Sequence, residues 1–100
     1  MEQAPACSLD DQGLRGQRER YRELGRGARV LERTGTRLVV ELRAGLDTEL
    51  LERTLATERG CCPFFELRWE PAMRRLEVSV AAAGHAPALD AIAHALGSAA

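Results

Sequence analysis

Lysine is missing from this chain: all 14 basic residues among its 100 are Arg. With no amine side chain there is no Schiff-base lysine and no phosphate-loop lysine, so both chemistries are excluded. The Ala, Leu and Gly bias that accompanies the Arg is what a GC-rich coding sequence produces, so Arg abundance by itself points to no ligand. A basic excess is also missing, since 15 acidic residues leave a net charge of −1. Nucleic-acid binding usually shows as such an excess, so a nucleic-acid partner is not expected. No apolar run approaches the roughly 18 residues of a membrane span. The first residues, Met1-Glu2-Gln3-Ala4-Pro5, lack the basic segment and apolar stretch of a secretory signal, and a membrane partner is not expected. A cytoplasmic location is the default expectation.

Core-forming residues are modest in number. Of 45 apolar residues 16 are Ala, which leaves 29, with 14 Leu and 5 Val among them. A chain of this size buries about 60–70% of its unfolded surface, enough for one core without staples. One domain is therefore expected over residues 11–97, preceded by an extended arm over residues 1–10 that contains Pro and Ser and lacks periodicity.

Asp10 or Asp11 can cap a first helix running to about Arg26, in which Arg18, Arg20, Arg22 and Arg26 interleave with Glu19 and Glu23 as on a solvated face. Val30 to Arg33 and Thr36 to Arg43 read as a hairpin across Thr34-Gly35, with Leu38, Val40 and Leu42 on one face. Asp47 or Thr48 caps a second helix with Leu50, Leu51 and Leu55 as its apolar stripe. It must end by Gly60 to Cys62, because Pro63 disfavours helical geometry in the residue before it. Phe64 to Trp69 and Arg75 to Val80 form a second hairpin, with Leu67 expected near Leu76, Trp69 near Arg74 and Pro63 beside Val80. Ala86 to Leu96 is a third helix. The order α-β-β-α-β-β-α predicts an α+β two-layer sandwich: a four-stranded antiparallel sheet with helices on one face.

The most unusual stretch is Glu58-Arg59-Gly60-Cys61-Cys62-Pro63-Phe64-Phe65. Two adjacent cysteines sit at a helix-to-strand junction, Cys7 lies in the arm, and Glu58 is one helical turn before Cys62. The odd count and expected compartment argue against a disulfide framework. The strand pairing brings the Gly84-His85 link to the same end of the sheet as the cysteine pair. Three thiols and an imidazole form a soft ligand set suited to Hg(II), Cu(I) or Zn(II). A helix C-terminus and Glu58 both oppose a free thiolate, whereas a bound cation supplies the missing charge. The leading expectation is thus a small soft-metal-binding protein, more a binder than an enzyme, acting in metal homeostasis or resistance. Cys7, Cys61, Cys62 and His85 would be its ligands and Glu58 a supporting group.

Blander readings stand beside it. A free cysteine often simply packs in a core, no C-x-x-C pair is present, His85 can start the last helix, and His94 falls on the solvent side. The alternatives are a cysteine-based redox enzyme in which Cys61 or Cys62 attacks and Cys7 resolves, a haem site at Cys62-Pro63, and an interaction module with inert thiols. A homodimer through the edge strand Val30 to Arg33 is compatible with the pattern.

The segment Glu58 to Leu67 resembles a motif of small bacterial proteins: Glu, two residues, Cys-Cys, Pro or Ser, then Phe-Phe or Phe-Leu. Similar segments accompany regulators of the mercury-responsive type. The resemblance extends to Cys7-Ser8-Leu9 and to Gly84-His85 through Leu89-Asp90-Ala91. It implies a small thiol-bearing α+β protein with a metal-related role.

Overall fold

The computed structural model describes residues 10–61 and 64–97. The arm before Asp10, with Cys7, and the pair Cys62-Pro63 lie outside the described residues. The element order is α1 (Asp11–Leu24), β1 (Arg29–Arg33), β2 (Arg37–Glu41), α2 (Thr48–Cys61), β3 (Phe65–Glu70), β4 (Arg75–Val80), a 3-10 turn (Ala83–His85) and α3 (Ala86–Ala95). This is the α+β arrangement that the sequence predicts.

Both long N-terminal helix starts are capped by Asp. The Asp10 carboxylate accepts from Gly13 N at 2.8 Å, and Asp47 accepts from Glu49 N at 3.0 Å and Leu50 N at 3.4 Å. At the other end of α1, Arg43 donates to the carbonyls of Glu23 and Arg26 at 2.7 and 3.0 Å and pairs with the Glu23 carboxylate at 3.2 Å. A cation placed there satisfies carbonyls that the helix leaves open and complements its dipole.

The strand order is β1-β2-β4-β3, antiparallel throughout. Each hairpin is local, and the pairing of β2 with β4 joins them. Leu38, Val40, Leu76 and Val78 meet on the inner face and are buried with Leu24, Leu42, Leu51, Leu55, Leu89 and Ile92. Helix α2 packs on β3 and α3 on β4 and β2, while α1 lies against α2 and α3. The outer face carries Arg37, Glu41, Glu66, Arg68, Arg75 and Glu77. Val39 lies among them yet is only 7% exposed, opposite Glu77, which Arg37 binds at 3.0 Å. The aliphatic stems of such charged side chains cover an apolar neighbour while their heads stay wet.

The second hairpin differs in register from the expectation. Leu67 pairs with Val78, Trp69 with Leu76, and Phe65 with Val80, so each partner is displaced by two residues. The reason is the turn. The expected pairing leaves a two-residue loop, Pro71-Ala72, and such loops need left-handed residues that Pro and Ala do not supply. The chain instead uses four residues: Arg74 adopts φ 54° and its N–H donates to the Pro71 carbonyl at 3.1 Å. The first turn also moves, enclosing Gly35-Thr36, with Thr34 N donating to Arg37 O at 2.8 Å. Strand β2 ends at Glu41, two residues before the expected Arg43, and a bulge between Val30 and Glu32 interrupts the edge strand.

One close approach fixes the helix layer. A Cβ on Gly25, the residue after α1, would stand 2.0 Å from the Leu96 carbonyl oxygen at the end of α3. Only glycine lets the two helix ends meet at this distance. Among the described residues no helix is long and apolar enough to cross a membrane.

Candidate functional site: a disulfide sulfur beside a buried carboxylate

Helix α2 ends on Cys61, with a half-buried Phe64 three residues on. Cys61 is 8% exposed, and its sulfur is disulfide-bonded. The sequence expectation of no disulfide framework did not anticipate this bond. The chain's other cysteines, Cys7 and Cys62, lie outside the described residues.

One turn before Cys61, on the same helix face, Glu58 is 4% exposed. Tyr21 Oη donates to its Oε1 at 2.7 Å, and Gln17 Nε2 donates to the same oxygen at 3.1 Å. Gln17 Nε2 also reaches the Thr54 carbonyl at 3.0 Å, and Arg20 holds the Gln17 carbonyl oxygen at 3.0 and 2.7 Å. Gln17 and Tyr21 sit one turn apart on α1, Thr54 and Glu58 one turn apart on α2. A polar seam therefore runs between the two helices, toward Cys61. Hydrogen bonds of this kind are what make a carboxylate tolerable in an interior.

The expected metal ligands distribute as follows. His85 stands at the start of α3, where its N–H bonds the Ala82 carbonyl at 3.0 Å and its side chain makes no cap bond. Its Nδ1 is buried with no hydrogen-bond partner among the described residues, and its ring lies 4.8 Å from that of Phe64. Phe64 and Phe65 also line a cleft of about 350 Å³ with Glu66, Ser79, Val80 and Ala81, at the corner where β3 begins and β4 ends. The imidazole thus lies at the end of the sheet that the strand pairing predicts, even though the register differs. Among the described residues, no group of three or more His, Cys, Asp and Glu is placed to hold a metal ion. His94 is exposed, as expected.

Sequence reasoning singled out Glu58 but missed its partners. Gln17 and Tyr21 were hidden inside an Arg-rich helix, and Thr54 beside a leucine stripe. The available signal was spacing: Gln17, Tyr21 and Leu24 share one face of α1, and Leu51, Thr54, Leu55 and Glu58 share one face of α2.

The fold and this junction define a small α+β protein with a buried, disulfide-bonded cysteine beside a buried carboxylate. Comparison with protein-family models, with curated proteins and with solved structures returned no match.

Proposed function

We propose that this chain is a dithiol–disulfide protein in which Cys61 is the buried sulfur and Cys7 its exchange partner. The observation that carries the reading is the disulfide at Cys61, the last residue of α2. A vicinal bond to Cys62 is strained, which favours Cys7. The resemblance to Glu-x-x-Cys-Cys-Pro-Phe-Phe proteins also supports a thiol-based role.

The test is a free-thiol count on protein purified without reductant, followed by tryptic mapping without reduction. One free thiol is expected, with the peptide over residues 1–15 linked to that over residues 60–68. Three free thiols reject the reading.

A second reading, soft-metal binding by Cys7, Cys61, Cys62 and His85, is favoured by the buried Nδ1 of His85, which has no hydrogen-bond partner among the described residues. On this reading the disulfide is the oxidised resting form, and reduction releases thiolates for Hg(II), Cu(I) or Zn(II). Titration of fully reduced protein with each ion separates the two. Stoichiometric binding that is lost on Cys61→Ser and weakened on His85→Ala supports the metal. Absence of binding leaves the redox reading.

A further inference from the structure

We propose that Glu58 is a positioning residue for disulfide exchange: its buried carboxylate, one turn from Cys61, resists negative charge on that sulfur and thereby slows opening of the disulfide by external thiols. The inference rests on the dithiol–disulfide reading above.

Exchange has a definite charge history. A thiolate of dithiothreitol attacks the partner sulfur and forms a mixed disulfide. The old S–S bond breaks, and Cys61 departs with the electron pair and then takes a proton. The second thiolate of dithiothreitol closes its ring, releasing the partner sulfur as the other thiol. The rate depends on how well the departing sulfur carries charge.

Three features act on that sulfur in one direction. It is the last residue of α2, where carbonyl ends point at it. It is 8% exposed, so water solvates it poorly. And Glu58 is on the same face, clamped by Tyr21 and Gln17 so that it cannot swing away. Among the described residues, the charged and titratable groups that bond into this seam are few. From α1 come Tyr21 itself and Arg20, whose guanidinium is committed to the Gln17 amide. From α2, Arg59 turns away and donates to the Leu67 carbonyl on β3 at 3.1 Å. Among the described residues, none of these bonds places a cation on the carboxylate.

The experiment follows reduction of the wild type, Glu58→Gln and Tyr21→Phe by dithiothreitol across pH, and alkylation of Cys61 in the reduced proteins. Glu58→Gln keeps the shape and removes the charge. It should open about three- to tenfold faster at pH 7, with its alkylation profile displaced to lower pH. Tyr21→Phe removes a donor and leaves the carboxylate less compensated, so its opening should be no faster and its profile displaced upward if at all. A purely structural role predicts the opposite signature, in which both variants loosen the seam, both open faster and neither profile moves. That signature overturns the proposal, as does identity of Glu58→Gln with the wild type. If Glu58→Gln does not fold, Tyr21→Phe alone decides by the same criterion. Failure of the underlying reading is separate, since it appears as three free thiols in the untreated wild type.

Discussion

Tyr21 donates its hydroxyl to Glu58 at 2.7 Å across the interface of α1 and α2, with both residues under 5% exposed. A phenol and a carboxylate paired in this way hold α1 in one rotational setting on α2, because a slipped helix leaves the acid without that donor. Hydrogen bonds to a carboxylate contribute about 1.5–3 kcal/mol. Tyr21→Phe should therefore lower unfolding free energy by about that amount, read from urea titration, with the slope unchanged.

Glycine substitutions should sort by what a methyl group meets. Gly25→Ala places carbon against the Leu96 carbonyl and forces α1 and α3 apart. It should cost about 2 kcal/mol or more, in the range of overpacked sites. Gly60→Ala, on an exposed turn of α2 with nothing within 4 Å, should stabilise by about 0.5–1 kcal/mol. Gly45 has equal room but φ +79°, so Gly45→Ala should destabilise by about 1 kcal/mol. Thermal melts of the three variants check the order.

Arg43 closes the end of α1 through two carbonyls and one carboxylate. Arg43→Met keeps the stem and removes the fork, and should cost about 1–2 kcal/mol, a loss comparable to that of a helix cap. Lysine at this position should recover only part, since one ammonium cannot reproduce the planar fork. Amide exchange at Gly25 and Ala28 would show the fraying directly.

Reduction should reveal which sulfur Cys61 holds. A bond to Cys7 closes a loop of about 55 residues and removes about 4 kcal/mol of unfolded-state entropy, whereas a bond to its neighbour Cys62 removes only about 1 kcal/mol. Dithiothreitol should thus lower the melting temperature by well over 10 °C in the first case and by a few degrees in the second.

Much of the fold was legible in the pattern of residues. Alternation at Leu38, Val40 and Leu42 and at Leu76, Val78 and Val80 identified the inner face, since every second residue of a strand shares a side. The aspartates before the first two helices named their starts. The register of the second hairpin was not legible, because it depends on the left-handed Arg74, and nothing in an arginine announces that geometry. Glu58 and Cys61 were visible as a motif. Their partners on α1 were not, because nothing in a Gln and a Tyr between arginines announces which carboxylate a second helix will bring to them. The disulfide was hidden by an odd cysteine count.

The strand order carries a consequence for how the molecule assembles. β1 and β2 close over three intervening residues and β3 and β4 over four, but β2 and β4 must find each other across more than 30. That encounter bears most of the loop-closure entropy and should set the folding rate. Truncations at the β2–β4 seam, such as Val40→Ala or Val78→Ala, should therefore slow refolding. Changes in the hairpin tips should mainly hasten unfolding.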